Sequence, residues 1–382
     1  MQYRKFGKLD WEVSALGFGA MRLPLTDSDS ANIDEPEAIR MIRYAIDHGV
    51  NYLDTAYMYH SGQSEGFVGR VLKDGYREKV KLATKLPVWL VESAQDFDRY
   101  FNEQLERLQT KIDFYLLHGL NGKRWSKVRD LGVLDWAEDA MAQGKFEHLG
   151  FSFHDELDVF KEIVDAYDNW TLSQIYYNYM YVDYQAGRRG LEYAANKGLA
   201  VVVMGPLRGG QLAKKPPKQV AKIWVNTAQK RTPAERGLLW VWNQPEVSVA
   251  LSGMSTMEQV VENVAVAERS GAGKLTADEL TLFDRAREVY HSLIPIPCTG
   301  CGYCMPCPSN VAISNILRIY NDTIMYDNLQ TGHSQYHGAN GLKEEQRADQ
   351  CNECGECLDA CPQNIAIPEW LQKAHARLEP TE

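Results

Sequence analysis

Cysteine is the residue type whose spacing in this chain points most clearly to chemistry. All eight cysteines follow residue 297, in two groups that each end in a Cys-Pro pair. The groups are Cys298, Cys301, Cys304 and Cys307, then Cys351, Cys354, Cys357 and Cys361. Thiolates at such short spacing are ligands of zinc or of iron–sulfur clusters. The N-terminal segment lacks the apolar core of a signal peptide, so we expect a reducing cytoplasm, where clustered cysteines bind metal more often than they form disulfides.

The second group has the spacing C-x2-C-x2-C-x3-C-P and resembles the cysteine run of bacterial ferredoxins. The first group, CTGCGYCMPCP (298–308), has one residue fewer before its last cysteine. The resemblance covers residues 295–370, with a long insert between the groups. It implies two [4Fe–4S] clusters, each with three ligands from one group and the last cysteine of the other. The implied ligand sets are Cys298, Cys301, Cys304 and Cys361 for one cluster, and Cys351, Cys354, Cys357 and Cys307 for the other.

Zinc is the alternative metal for these thiol ligands. Structural zinc sites usually take their cysteines as pairs from two separated hairpins. Four evenly spaced cysteines followed by proline, occurring twice, fit that pattern less well, so two clusters are the favoured interpretation.

A second set of candidate residues lies earlier in the chain, at the ends of consecutive predicted strands. Three of these strands end at or just before an ionisable residue, which is Asp54, Lys85 or His118. Tyr59 lies in the loop that follows Asp54. A lysine ammonium next to a tyrosine favours the phenolate and lowers the tyrosine pKa from about 10. Asp54 can orient the lysine, and His118 can polarise a substrate carbonyl. Together these groups could deliver a proton to a carbonyl oxygen while a hydride reaches its carbon.

These residues resemble the aldo-keto reductase family in LDTAYMY (53–59), TKLP (84–87) and LLHG (116–119). The resemblance extends to about residue 290. It implies that Asp54, Tyr59, Lys85 and His118 are the catalytic tetrad, that Tyr59 is the proton donor, and that NADH or NADPH donates the hydride. Tyr57 competes with Tyr59 but has the wrong spacing. The substrate would be a small carbonyl compound or, in the reverse direction, an alcohol.

The same resemblance implies a set of cofactor contacts. Those residues are Ala20, Met21, Arg22, Ser152, Gln174, Met204, Gly205, Leu207, Arg208, Gly253, Ser255, Gln259, Glu262 and Asn263. Leu207 and Arg208 correspond to the pyrophosphate loop. Phe153 replaces a usual asparagine, and Met204 replaces an aromatic residue that commonly stacks on nicotinamide. Gly253 and Gln259 replace the cations that hold a 2′-phosphate, so we expect weak discrimination or a preference for NADH.

The elements that must position the tetrad alternate along the chain. Predicted strands cover 16–19, 51–54, 80–84, 114–118, 148–152, 172–176, 200–204 and 247–251. Predicted helices cover 35–48, 64–73, 93–108, 127–143, 155–166, 186–197, 233–243 and 256–269. This pattern favours an α/β fold, a (β/α)8 TIM barrel with its functional groups at the carboxyl ends of the strands. A doubly wound sheet is the rival, and the lack of GxGxxG after the first strand weakens it.

We place a domain boundary where prolines precede the first cysteine. Residues 1–292 are predicted to be the barrel, and residues 293–382 a small α-helical ferredoxin-type iron–sulfur domain. Helices are predicted over 275–293 and 310–326, a loop over 331–341, and an N-terminal hairpin that closes the barrel floor.

Composition excludes some partners. The formal net charge is −10 and no Lys/Arg run is present, which argues against nucleic acid and anionic membranes. No apolar stretch is long enough to cross a bilayer. We therefore expect a cytoplasmic enzyme with a small-molecule substrate, with a ferredoxin or another redox protein as a further partner.

Nicotinamide transfers two electrons as a hydride, whereas an iron–sulfur cluster transfers one. Three interpretations stay open. The barrel reduces a carbonyl, with clusters that transfer electrons or are structural or redox-sensing. A flavin bound in the barrel, or the substrate itself, accepts electrons from a ferredoxin through the clusters. The chain is an electron-transfer module on a barrel that has lost its activity, which the intact tetrad disfavours.

Overall fold

The structure is a computed structural model that describes residues 1–27, 29–225, 229–337 and 341–379. The chain forms two compact units. The first comprises Met1–Leu207 and Ala234–Leu275, and the second comprises Arg208–Pro233 and Thr276–Glu382. The domain boundary placed after residue 292 stays a prediction. The helix just before it, Ala277–Leu293, belongs to the second unit.

Eight parallel strands of the first unit form a closed barrel, which confirms the predicted fold. They are β3 (Leu16–Gly19), β4 (Tyr52–Asp54), β5 (Lys81–Leu86), β6 (Ile112–Leu120), β7 (Phe146–Phe153), β8 (Leu172–Tyr176), β9 (Ala200–Met204) and β10 (Val247–Ser252). Each strand pairs with its sequence neighbour, and β10 closes the barrel against β3. The residues of these strands are almost all buried, because a parallel barrel is covered by helices outside and by packed side chains within.

The predicted hairpin precedes the barrel. Strands β1 (Tyr3–Lys5) and β2 (Glu12–Ser14) pair in antiparallel register. Between them, the Phe6 ring lies 4.9 Å from that of Phe114 and 5.2 Å from that of Trp11. Phe6 packs with residues at the amino ends of barrel strands, among them Tyr52, Leu172 and Ala200. The hairpin therefore closes the end of the barrel opposite the predicted active site, as expected.

Helices alternate with the strands. They are α1 (Glu35–Asp47), α2 (Ser64–Val71), α3 (Gln95–Leu108), α4 (Gly122–Asp130), α5 (Val133–Ala142), α6 (Leu157–Asp165), α7 (Gly187–Asn196), α9 (Pro233–Trp242) and α10 (Met257–Glu268). The single helix predicted over 127–143 is wrong, because Gly132 interrupts it with φ of 81°. That left-handed conformation suits glycine and ends one helix before the next begins.

The second unit is helical in its described residues. Its helices are α8 (Lys218–Trp224), α11 (Ala277–Leu293), α12 (Ile313–Met325), α13 (Leu329–His337), α14 (Glu356–Ala360) and α15 (Ile367–Leu378). A capping box begins α11, where Thr276 and Glu279 bond each other's backbone N–H at 3.2 and 2.9 Å. A core of aliphatic residues from α12 and α15 surrounds Tyr336.

The loop predicted over 331–341 is wrong at its start, because α13 extends to His337; residues 338–340 lie outside the described residues. The reason is Gly332, which reads as a loop residue. A side chain there would meet Thr323 Oγ1 at 2.2 Å, so glycine lets α13 approach α12 closely. Among the described residues, no helix combines the length and the apolar character that crossing a membrane requires.

Candidate functional site

The four predicted catalytic residues meet at the carboxyl ends of β4, β5 and β6. The Lys85 ammonium donates to the Asp54 carboxylate at 2.6 Å and to the Thr55 carbonyl at 2.7 Å. It donates to the Tyr59 hydroxyl at 3.4 Å. The side chains of Lys85 and Asp54 are each only 1% exposed. All three ammonium hydrogens therefore have an acceptor, and the aspartate fixes the lysine beside the tyrosine.

His118 faces the same group of residues. Its ring lies edge-on to that of Tyr59, with the centroids 6.0 Å apart and an interplanar angle of 83°. The Trp89 ring lies 5.0 Å from the histidine on another side. Trp89 is therefore placed to contact a substrate held between Tyr59 and His118.

Two other aromatic residues, Tyr57 and Trp125, lie outside the tetrad. Tyr57 donates its hydroxyl to Glu103 at 2.7 Å, and its ring packs edge-on against Tyr100. Trp125 is fully buried. Neither side chain takes part in the hydrogen bonds that join the tetrad.

Burial governs the protonation of Tyr59. Desolvation, followed by the charge of Asp54, raises the pKa of Tyr59 well above its usual value, and the smaller effect of Arg22 lowers it. The net shift is upward, opposite to the lowering that we expected from Lys85, because the loss of water outweighs the effect of the cation Arg22. Tyr59 keeps its proton at neutral pH, which is the form a proton donor needs.

Burial also acts on the other three groups. Desolvation, reinforced by the charge of Lys85, lowers the pKa of His118 well below 6.5. The imidazole is thus neutral at pH 7 and can donate a hydrogen bond without carrying charge. Desolvation lowers the pKa of Lys85 and raises that of Asp54, while their contact opposes both shifts. The 2.6 Å pair is what keeps this buried lysine available as a cation.

Sequence reasoning missed a buried network behind the tetrad. Glu65 is fully buried, and accepts hydrogen bonds from Thr84 at 2.6 Å and Gln104 at 2.5 Å. Gln104 also donates to the Lys85 carbonyl at 3.1 Å. The sequence does contain a signal for this network. Glu65 shares the buried face of α2 with Val68, where a charged residue is unexpected. The network fixes the backbone of Lys85.

Several predicted cofactor residues extend the tetrad. Gln174 donates to the second oxygen of Asp54 at 3.4 Å, and the Ala20 N–H donates to the Asp54 carbonyl at 2.8 Å. The Ser152 hydroxyl accepts from the Gly119 N–H at 2.7 Å. These contacts bring the ends of β3, β7 and β8 to the site of the tetrad.

A second subset gathers where β10 ends beside β3. The Ser255 hydroxyl donates to the Arg22 carbonyl at 2.7 Å, and the Ser255 N–H donates to Gln259 at 2.8 Å. A Cβ on Gly253 would lie 3.2 Å from the Arg22 stem. Arg22 therefore places a cation beside the uncharged Gly253 and Gln259, which the sequence comparison alone did not reveal.

The remaining residues are more scattered. Met204 pairs in register with Tyr176, whose ring is so close to Gly205 that a Cβ there would meet it at 2.3 Å. The Tyr176 ring thus lies beside Met204, the residue that replaces the aromatic residue common in the family. Asn263 is buried and donates to Ser252 at 3.2 Å. Met21 is exposed, Glu262 is half-buried, and Leu207 packs where Gly237 leaves space.

Two cavities in the second unit are walled by cysteines. One is lined by Cys298, Cys301, Cys304 and Cys361, with apolar side chains including Leu317 and Ile367. The other is lined by Cys307, Cys351, Cys354 and Cys357, and Cys304 also reaches it. Each cavity thus brings together the four cysteines that the ferredoxin resemblance assigned to one cluster.

The surroundings of the thiols differ between the cavities. Cys354 is exposed, whereas Cys361 is buried. Desolvation raises the pKa of Cys298 to about 11, opposed by the Gly300 N–H and by the charge of Arg208. Desolvation likewise raises the pKa of Cys357 to about 11. Burial therefore disfavours free thiolates in both cavities, which a bound metal would reverse.

Arg208 lies in the second unit beside the first cavity. Its guanidinium donates from Nη2 to the Cys298 carbonyl at 3.0 Å, and the side chain is only 3% exposed. We predicted a phosphate partner at this position. The structure shows a hydrogen bond from this side chain to the backbone of a cysteine ninety residues further along the chain, and the phosphate contact stays a prediction.

Comparison with known proteins finds two family models that match different parts of the chain. The model of the aldo/keto reductase family matches residues 15–288. The chain belongs to the aldo/keto reductase family. A second model, the 4Fe-4S dicluster domain, matches residues 297–366. The family assignment covers the barrel and the tetrad, and the dicluster match covers both cysteine groups.

The relatives of this aldo/keto reductase resemble its barrel. An uncharacterized oxidoreductase of Bacillus subtilis, YqkF, is 26% identical over 310 residues, covering 73% of this chain and 94% of its own. The aldo-keto reductase AKR11C1 of Bacillus halodurans is 28% identical with a TM-score of 0.63, over 75% of this chain and 96% of its own. An aldo/keto reductase of Klebsiella pneumoniae in complex with NADP and acetate is 25% identical with a TM-score of 0.60, over 74% and 94% of the chains.

Proposed function

We propose that this aldo/keto reductase reduces a small carbonyl compound with NADH or NADPH, with Tyr59 as proton donor, and that two [4Fe–4S] clusters in the second unit transfer electrons. The observation that carries the first part is the buried Lys85, which joins Asp54 at 2.6 Å and Tyr59 at 3.4 Å. Such an arrangement has a chemical use at a carbonyl and adds little to stability, because burying an ion pair costs desolvation.

The tetrad residues divide the proton chemistry between them. Bound NAD(P)H supplies the hydride that reaches the carbonyl carbon. Tyr59 donates its proton to the carbonyl oxygen, so the product is the alcohol and the tyrosine is left as a phenolate. Lys85 stabilises that phenolate, and Asp54 holds the ammonium in place. Neutral His118 donates a hydrogen bond to the substrate oxygen and orients it for the transfer.

The cysteine cavities support the second part. Four thiols around each cavity are the donor set of a [4Fe–4S] cluster, and apolar neighbours exclude competing ligands from the first cavity. Each cluster, when bound, exchanges one electron at a time. The chain's own contribution is to supply the ligands and to set their environment. The exposed Cys354 makes the second cavity the accessible side for a redox partner.

Replacing Tyr59 by Phe tests the catalytic part, with Tyr57→Phe as matched control. The two tyrosines are two residues apart, but Tyr57 bonds Glu103 instead of Lys85. We expect Tyr59→Phe to lower carbonyl-dependent NAD(P)H oxidation by roughly two to four powers of ten, and Tyr57→Phe to change it by less than about threefold. Wild-type rates in Tyr59→Phe would remove the tetrad from the mechanism.

The cofactor content is tested on anaerobically purified protein. We expect about eight iron and eight sulfide per chain, an absorption near 400 nm that bleaches on reduction, and no flavin on denaturation. Zinc without sulfide would contradict the clusters. A yellow cofactor released on denaturation would support the ferredoxin-linked flavin enzyme instead.

Titration with NADH and NADPH at equal salt tests the choice of nicotinamide. We expect weak discrimination or a preference for NADH, since Gly253 and Gln259 carry no charge. NADPH binding tens of times tighter would contradict this. In that case Arg22→Gln should remove the NADPH advantage, because Arg22 packs against Gly253.

A further inference from the structure

Arg208 is a buried cation in the second unit whose observed contact does not fit the role predicted from sequence. Its backbone has φ of 51°, a conformation that residues other than glycine seldom adopt. The Gln211 N–H donates to its carbonyl at 3.2 Å in the following turn. The surrounding structure therefore holds this residue in one place.

The side chain of Arg208 is directed at a cysteine of the first cavity. Nη2 donates to the Cys298 carbonyl at 3.0 Å, and only 3% of the residue is exposed. A guanidinium keeps its positive charge throughout the pH range in which proteins fold. Burying it is costly unless it acts on a compensating group, and little solvent is left to screen it from the sulfurs of that cavity.

The second cavity has surroundings of the opposite sign. Two carboxylates, Glu353 and Glu356, line it together with the cysteines. The first cavity is lined by the uncharged polar residues Thr299, Ser314 and Gln363, and Gln363 donates to the Thr299 hydroxyl at 3.3 Å. The chain thus places a cation beside one predicted cluster and anions beside the other.

We propose that Arg208 is a positioning residue for the cluster of Cys298, Cys301, Cys304 and Cys361, and that its charge makes this cluster easier to reduce than the other. The inference rests on the two clusters proposed above. Reduction adds one negative charge to a cluster, so a fixed cation nearby stabilises the reduced form. The carboxylates beside the second cavity act in the opposite direction. The first electron that the protein takes up therefore reduces the cluster beside Arg208.

An anaerobic redox titration followed by electron paramagnetic resonance tests this on the full chain. The samples are wild type, Arg208→Gln, Arg208→Lys and the control Lys214→Gln. Lys214 pairs with Asp322 at 3.1 Å on the surface of the same unit and is far more exposed than Arg208. We expect Arg208→Gln to shift one of the two cluster equilibria roughly tenfold toward the oxidised form, about 59 mV for one electron. The other cluster should move by less than about threefold, and Lys214→Gln should move neither.

Arg208→Lys separates charge from structure. It keeps the cation without the planar fork, so its cluster should stay within about threefold of wild type. If Arg208→Gln does not bind its clusters, Arg208→Lys alone tests the proposal. A tenfold shift of the cluster's redox equilibrium in Arg208→Lys then overturns the proposal. Equal shifts in both variants, or unchanged potentials in Arg208→Gln at full iron content, also overturn it. Wild-type protein that contains no iron and no sulfide would instead contradict the proposed clusters themselves.

Discussion

The barrel site and the cysteine cavities are built in different ways. In the barrel, the protein supplies three hydrogen-bond partners of Lys85, at distances between 2.6 and 3.4 Å. In the second unit, five of the cysteines pack against the apolar core as partly buried side chains, and the thiols face cavities. A site of the first kind forms when the strands align, whereas a site of the second kind gains its order from what it binds. Damage to one should therefore leave the other largely intact.

Removing one cysteine is the largest test of this difference. We expect Cys351→Ala to lose one cluster, so that iron falls from about eight to about four per chain. Carbonyl-dependent NAD(P)H oxidation should stay within about threefold of wild type, because the hydrogen-bond partners of Lys85, which are Asp54, Thr55 and Tyr59, all belong to the first unit. Metal analysis and the steady-state assay check both numbers. Loss of carbonyl reduction in step with iron would mean that the two sites form one pathway.

Breaking the buried ion pair tests the barrel in the same way. Lys85→Met leaves the Asp54 carboxylate buried without its cation, so we expect unfolding to become easier by roughly 3–5 kcal/mol. Activity should fall at least about a hundredfold, while iron and sulfide stay unchanged. The control is Lys79→Met, which breaks a surface pair with Asp47 and should change the free energy of unfolding far less. Equal effects of the two substitutions on unfolding would refute the distinction.

The pH dependence of barrel stability sharpens the comparison further. Burial lowers the pKa of His154 to about 4, and its hydrogen bond to Gln185 opposes that shift. The unfolded chain takes up this proton near pH 6.5, so the stability is complete above that pH and is lost as the pH falls toward 4. We expect His154 to account for about 2 kcal/mol of the loss between pH 7 and pH 5. Denaturant unfolding of wild type and His154→Asn at both pH values measures it.

His48→Gln is the control for that experiment, because His48 is exposed. A wild-type stability that is flat from pH 7 to pH 5, or a His154→Asn variant that loses as much stability as wild type over that range, would contradict the assignment.

The smallest expected effect concerns Gln174, which holds Asp54 by a long bond of 3.4 Å. Gln174→Ala should lower kcat/KM for carbonyl reduction by about three- to tenfold, mainly through weaker nicotinamide binding, since the lysine still fixes Asp54. A rise in KM for NAD(P)H at nearly constant kcat would show this. A fall in kcat alone would place Gln174 in the proton chemistry instead.

The sequence predicted the barrel and the meeting of its tetrad because both depend on short-range patterns. Buried strands of three to nine residues alternate with helices, and the carboxyl ends of parallel strands share one end of a barrel. A residue placed at a strand end by its sequence is thus placed in space as well. Asp54, Lys85 and His118 follow this rule.

Other features depended on contacts between distant parts of the chain. Arg208 bonds a cysteine carbonyl ninety positions later, and Gln104 reaches back to Lys85. No local pattern reports either contact. The pKa of Tyr59 was also predicted in the wrong direction, because the extent of its burial follows only from the closed fold. Gly332 was misread for the same reason, since its role is a close approach of two helices.

In the proposed mechanism, the hydride passes directly from NAD(P)H to the carbonyl carbon in the barrel, and no electrons pass through a flavin or the clusters. The most direct measurement uses NAD(P)H carrying deuterium at the transferred position of C4, with the reaction run in ordinary water. Mass spectrometry of the alcohol should find one deuterium on the carbinol carbon in essentially every product molecule. Product with hydrogen from solvent at that carbon would contradict the account and favour the ferredoxin-linked flavin enzyme.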